Sequence, residues 1–430
     1  MVNSFQISVK PPASSNGDHV GKSFARLKIE VGGNIVTRYE GDFEPTADDI
    51  EIPTYFFAEW LSENWWSILW EPRKSETEGD DYEFLTRHST IFAQGGFVLP
   101  KIMFVQQGGD INVHAYARNL QYPDIRFRNG GNALLPRASV EAELTTFVRA
   151  VVKQIGNDAL DGTSLLQHWC AIENTEIEET LFCKLMGALG LSPYIENSEI
   201  EKLIETSVAK LGEELALDLC LAANPKNLSE SFRAASTANA LLNSISGDLS
   251  ALLSITAPAD GVQLPGWRRG VQGARKVRNA LGISEDDPRG SDLLFAALGI
   301  NIDGAIGEPR SEDEPVILGA VCRENSRLSL GLTQPSATKR RFTAARAAFA
   351  AWTAETPTWS KLLTLAVTRD QQASRAFAAE MTAPIAFIKK RAHAARISDA
   401  GLYETASDLQ VSAEVVRNQA MNNGLTITRI

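Results

Sequence analysis

The sequence has little of what builds crosslinks, metal centres or covalent active sites. Only four cysteines occur, Cys170, Cys183, Cys220 and Cys322, and none forms a CxxC pair. That excludes a disulfide framework and a cysteine-rich zinc module, and fits a reducing cytoplasm. The five histidines, His19, His88, His114, His168 and His393, are scattered, with no two within five residues of each other. HExxH is therefore absent; such a site needs two imidazoles on one helix face and a carboxylate beside the metal-bound water. Neither a GxSxG elbow nor a Cys-His nucleophile context occurs, so covalent hydrolysis has no positive support. No uninterrupted apolar run approaches the roughly 18 residues of a membrane span. Met1-Val2-Asn3-Ser4-Phe5 lacks the basic-then-apolar order of a signal peptide. The expectation is a cytoplasmic protein without a membrane segment.

What is present is ordinary globular material. The 430 residues are 44% hydrophobic and 22% charged, enough to bury a sizeable core in more than one domain. The net charge of −11 argues against a polycation that coats nucleic acid. The charge is uneven: residues 335–430 hold thirteen Lys and Arg against seven Asp and Glu, while residues 1–334 hold 29 against 46. A C-terminal unit so biased either binds an anion or docks on acidic parts of its own chain.

Residues 1–135 are expected to be a β-rich domain. Arg26 to Val31 alternates apolar and polar before Gly32-Gly33-Asn34 and Ile35 to Tyr39, a hairpin pattern. A second hairpin is expected about Gly108-Gly109-Asp110, joining Ile102 to Val105 with Ile111 to Tyr116. Between them Tyr55 to Trp70 reads as helix and holds Trp60, Trp65, Trp66 and Trp70, half of the eight tryptophans. At helical spacing such a cluster is expected in the core rather than as an exposed stacking platform. Gly17-Asp18-His19-Val20-Gly21-Lys22-Ser23 mimics a phosphate-binding loop but is one residue short, has Asn16 at the required first glycine, and precedes a strand-like Phe24 to Ile29.

After Pro136 the period changes to about 3.6, with Val140, Leu144, Phe147, Val148, Val151 and Val152 on one face. Residues 136–245 are expected to form a helical domain, 246–266 a small-residue linker, and 267–430 a C-terminal domain. The polar stretch Gly307 to Pro315 marks a further break before a buried strand at Val316 to Val321. The overall expectation is an α+β fold.

Three C-terminal stretches carry a resemblance. Gln371-Gln372-Ala373-Ser374-Arg375-Ala376-Phe377-Ala378-Ala379-Glu380-Met381-Thr382-Ala383-Pro384 follows Arg341-Phe342-Thr343-Ala344-Ala345-Arg346-Ala347-Ala348-Phe349-Ala350 and precedes Ala406 to Val416. In type and order these are similar to segments of the ImmA/IrrE family of metallopeptidases. Glu178 to Tyr194 also resembles a stretch of that family's longer subgroup, and its Gly190-Leu191-Ser192-Pro193 reads as a helix stop, an N-cap and a first-turn proline. The resemblance implies a zincin-like C-terminal domain without its zinc. It puts the family's two histidines on Arg346 and Ala350 and its catalytic glutamate on Ala347. Alanine has no lone pair to offer and a guanidinium repels a dication, so metal binding and water activation are both lost. The third, acidic ligand would fall among Gln371 to Ala373, with Asp370 the nearest carboxylate.

The resulting expectation is a catalytically inactive regulator or adaptor with no cofactor and no metal, binding a protein partner. By resemblance its setting is bacterial stress response or anti-phage defence. One alternative is an active metallopeptidase with other ligands, such as His168 or His393 with acidic partners. Another is a DNA-binding regulator. Residues 402–424 have helix-turn-helix-like spacing, with Ala406, Leu409, Val411, Val415 and Val416 inside and Arg417, Asn418 and Gln419 on the second helix. Phosphate contacts would come from Arg340, Arg341, Lys389, Lys390, Arg391, Arg396 and Arg417. Packing within the C-terminal domain is the plainer reading of the same pattern.

Overall fold

A computed structural model describes residues 3–12, 17–41, 46–74, 78–93, 95–117, 125–259, 265–302 and 316–428. Helices and mostly antiparallel sheets alternate along the chain, an α+β arrangement. The chain divides into two compact units, Met1–Ser198 and Glu199–Ile430.

In the first unit, Phe24–Val31 pairs antiparallel with Phe5–Lys10 on one side and with Ile50–Pro53 and Asn34–Ile35 on the other. Its alternation is literal: Ala25, Leu27, Ile29 and Val31 are buried while Arg26 is exposed. The expected hairpin exists, though its return strand is only the two residues Asn34–Ile35. Ile102–Gln107, Asp110–Ala115 and Gly131–Pro136 form a second antiparallel sheet, with the turn at Gly108-Gly109. His19–Lys22 is a single helical turn running into the Phe24–Val31 strand, so no helix opens there to hold phosphate.

Trp60, Trp65 and Trp66 are buried on the helices Tyr55–Glu63 and Trp65–Trp70. The indole N–H of Trp60 donates to Thr86 O at 2.9 Å and that of Trp66 to the Tyr194 hydroxyl at 2.9 Å, so neither polar tip is stranded. Trp70 lies half-buried beneath the Arg137 guanidinium, 3.6 Å from its ring centroid. Arg137–Ile155 follows the expected stripe, with Val140, Leu144, Phe147, Val148 and Val151 buried.

A buried charge cluster joins these parts. The Glu71 carboxylate receives Arg87 through Nε at 2.8 Å and Nη2 at 2.7 Å, and lies 3.1 Å from His88 Nε2, whose Nδ1 is 2.8 Å from Phe104 O. Burial works against the Glu71 charge, but hydrogen bonds from His88 and Arg87 outweigh it and bring its pKa down to about 2. Gly190, at φ +76°, ends the Ile177–Ala188 helix, and a Cβ there would lie 2.5 Å from Glu71 Oε1. The helix stop is thus where the sequence pattern puts it. The N-cap that Ser192 suggests is not: Ser192 Oγ accepts from Tyr194 N in a turn, and the next helix, Ser198–Leu211, starts six residues on.

The second unit begins inside the stretch read as a helical domain. Helices Glu213–Ala222 and Leu228–Ala240 pack on the sheet Ile245–Asp248, Arg327–Leu332, Ile317–Glu324, Thr358–Thr364, given in spatial order and antiparallel throughout. The boundaries at 135 and 245 therefore do not separate the compact units, and residues 246–266 are not simply a linker. Small residues suggested a surface crossing, yet Ile245–Asp248 adds a strand, and Leu249 and Leu252 are fully buried. Backbone pairing to a distant strand leaves no trace in local composition. The strand expected at Val316 is the inner strand Ile317–Glu324, whereas the break at Gly307 to Pro315 lies outside the described residues.

Helix Ala337–Trp352 packs on three of these strands and against helix Arg369–Thr382, which in turn meets helix Gly266–Ala280. The C-terminal residues form a small body with its own core of Ile388, Leu402, Leu409, Val416 and Ala420.

Candidate functional site

Helix Ala337–Trp352 is buried nearly all round because the sheet and helix Arg369–Thr382 enclose it. Ala344, Ala345, Ala347, Ala348 and Ala351 are fully covered. Alanine favours helix and permits close approach, so the aromatic contact between Phe349 and Phe377, with centroids 5.0 Å apart, seals the crossing.

Among these alanines stands Arg346, 1% exposed. Its Nη2 donates to Thr364 O at 2.8 Å and to Gln371 Oε1, and its Nε donates to Ser374 Oγ at 3.3 Å. Among the described residues no carboxylate is bonded to it. Burial and then the nearby Arg375 pull its pKa down to about 9, still well above neutrality, so the guanidinium is charged at pH 7. Gln371 Nε2 donates to Leu362 O at 2.9 Å. The two segments whose sequence pattern pairs them therefore do meet, through a cation held by neutral oxygens. Ala347 is buried and Ala350 lines the adjoining cavity, and neither supplies a donor atom.

That cavity, about 320 Å³, is walled by Phe349, Trp359, Leu363, Gln371 and Ser374. Its charges are largely committed to one another. Asp370 takes Lys361 at 3.1 Å and Arg269 at 3.3 Å. Lys361 first, and then Arg269, hold the Asp370 carboxyl below its ordinary range; Asp370 and Asp218 together outweigh burial and hold Lys361 above its own. Asp218, on the Glu213–Ala222 helix, accepts from Leu362 N at 2.9 Å. Burial raises its pKa to about 6, helped by Asp370 and Glu214 and opposed by Lys361 and the Leu362 N–H.

Because the folded-state pKa of Asp218 is raised, its contribution to stability is fully present below about 3.8 and is lost as pH rises through about 6. Asp218→Asn keeps an acceptor for Leu362. It is expected to match the parent near pH 4 and to exceed it at pH 7 by on the order of 2 kcal/mol. Urea unfolding of both proteins across that range measures the difference; parallel pH profiles would refute the assignment.

The remaining basic candidates differ in placement, two being drawn into the fold and five standing exposed. Arg340 is buried and donates to Pro335 O at 2.7 Å and Gln334 O at 3.2 Å, so it closes its own helix entry rather than meeting phosphate. Arg341 pairs with Asp292 at 2.6 Å. Lys390, Arg391 and Arg417 are exposed but pair with Asp286, Asp408 and Asp399, which sequence distance conceals. Lys389 and Arg396 are exposed. Helices Asp399–Asp408 and Ala413–Asn422 form as the spacing predicts, with Ala406, Leu409, Val411 and Val416 buried and Val415 partly so. Gln419, assigned to a reading surface, instead points inward and donates to Glu380 Oε2 at 3.2 Å and Ala383 O at 3.1 Å. His168 bonds to Ser164 within the first unit, while His393 stands exposed in the second; among the described residues no three His, Cys, Asp or Glu side chains gather as a metal-holding group.

Sequence reasoning did not find Asp218, Lys361, Arg269 or Trp359. The signal was weak: three charged residues and a tryptophan, drawn from three separated segments with no spacing rule joining them. In comparisons with known proteins, no family model, no curated protein and no solved structure matches the chain.

Proposed function

We propose that the chain is a catalytically inactive, ImmA/IrrE-like regulator or adaptor that binds a protein partner, in bacterial stress response or anti-phage defence. The observation supporting this reading is the Arg346 guanidinium, fixed to Thr364 O, Ser374 and Gln371 where the resemblance puts a zinc ligand. A buried cation repels a divalent ion, and neither Ala347 nor Ala350 can activate water. The cavity beside it offers a concave, partly aromatic wall whose inner charges Lys361, Arg269 and Asp370 are engaged with one another, which suits binding.

The purified full chain is expected to carry no stoichiometric zinc by mass spectrometry and to leave casein and unstructured peptides intact. One tightly held zinc equivalent, lost together with cleavage on chelation, would overturn the reading.

A further inference from the structure

We propose that the cavity between the Arg369–Thr382 helix and the Thr358–Thr364 strand is an anion site that takes one carboxylate, from an acidic side chain of the protein partner or from a small free acid. This rests on the binding role proposed above and names the chemistry of what is bound.

The inner charges do not balance. Lys361 and Arg269 share Asp370, and Asp218 adds a second carboxylate beside Lys361. Arg346, whose side-chain partners Gln371 and Ser374 both line the cavity, is a third cation, with no carboxylate of its own among the described residues. A buried charge without a counterion is costly. Carbonyl oxygens can offset that cost, as they do for Arg278, which is 2% exposed and meets those of Ser284, Asp287, Glu380 and Met381. Arg346 has one carbonyl, one amide oxygen and one long bond to a hydroxyl, and among the described residues its Nη1 makes no hydrogen bond.

The wall also holds N–H groups still to spend. The Lys361 ammonium has further protons beyond the one that Asp370 takes, and the Trp359 indole N–H has no acceptor among the described residues. The two are neighbours, with Lys361 Nζ 6.0 Å from the Trp359 ring centroid, so one carboxylate can accept from both. Glu214 and Glu355 line the cavity too, but they are exposed and screened by water. They limit the charge that enters: a phosphate monoester of about −2 meets both of them and Asp370, whereas a single carboxylate matches the one unbalanced interior cation.

The test is saturation-transfer NMR on the full chain, titrated with propionate and with a blocked Gly-Glu-Gly peptide. Propionamide and the matching Gly-Gln-Gly peptide are the neutral isosteres. Both carboxylates are expected to bind saturably, and the amides about tenfold more weakly or worse. Trp359→Phe keeps a ring but loses the N–H, and Arg346→Met removes the unbalanced cation; each is expected to weaken carboxylate binding about tenfold. Circular dichroism verifies both folds, and Trp359→Phe, at a half-buried position, decides the matter should Arg346→Met fail to fold. No saturable carboxylate binding, equal binding of the amides, or equal binding to Trp359→Phe each overturns the proposal. A peptide that binds more tightly than propionate assigns the site to a partner's side chain, and propionate binding as tightly assigns it to a free acid. Zinc content and peptide cleavage are measured on the same samples. Zinc-dependent cleavage defeats the inactive reading while the Trp359→Phe comparison still decides the carboxylate site; a zinc-free, silent protein that treats propionate and propionamide alike defeats only the site.

Discussion

Replacing Glu71 with alanine is expected to cost about 3–5 kcal/mol of unfolding free energy, because it removes one partner of a buried ion cluster and leaves the others uncompensated. Arg87 loses both its hydrogen bonds to the carboxylate, and fully buried His88 keeps Phe104 O but loses its acidic neighbour. Trp60 donates to Thr86 beside this cluster, so tryptophan fluorescence during urea unfolding reports the loss. The depressed pKa adds a pH signature. Glu71's contribution is fully present above its ordinary value of 4.5 and disappears as pH falls through about 2. The gap between parent and Glu71→Ala should therefore close in acid. A difference below about 1 kcal/mol at pH 7 would mean the cluster is an accidental ion pair with no net stabilising role.

Gly270→Ala is expected to lose about 3 kcal/mol, at the upper end of what overpacking one methyl produces. Gly270 lies where helix Gly266–Ala280 crosses helix Arg369–Thr382, and a Cβ there runs into Ala373 O and comes within 2.8 Å of Phe377 N. Those are backbone atoms in a helix and cannot rotate aside. Gly273 offers an internal contrast, since its Cβ would meet the Phe349 ring at 2.8 Å, a side chain with some freedom to shift. Gly282, at φ +68° with open space around it, carries only the backbone strain of a left-handed alanine, about 1 kcal/mol. Thermal and urea unfolding should rank the three variants in that order. Gly270→Ala within about 0.5 kcal/mol of the parent would show that the two helices do not cross this closely.

Local pattern carried much of the architecture. The alternation through Ala25, Leu27, Ile29 and Val31, the hairpin at Gly108-Gly109 and the stripe from Val140 to Val151 were all legible, because each is enforced by neighbours a few residues away. The division after Ser198 was not, since it depends on which helices the sheet of the second unit recruits. The candidate site shows the same split. That Arg346, Ala347 and Ala350 lack metal-binding chemistry was readable from residue type alone. That Arg346 bonds across to Thr364, Gln371 and Ser374, or that Asp218 reaches Leu362 from 144 residues away, was not. The basic C-terminal residues left two readings open, an anion or the chain's own acids, for a related reason: composition counts charges, and only folding reveals that Asp286 stands opposite Lys390.

Thr358–Thr364 ends its sheet, and on its outer side Leu362 gives its N–H to Asp218 and its carbonyl to Gln371, while the Thr364 carbonyl is taken by Arg346. A foreign β-segment approaching this border finds the ladder positions already occupied by the protein's own side chains. Stacking of one molecule's sheet onto the next, the first step towards fibrous polymers, is denied a template at those residues. The Arg346 cation thereby caps a carbonyl that would otherwise stand open on the border of the sheet.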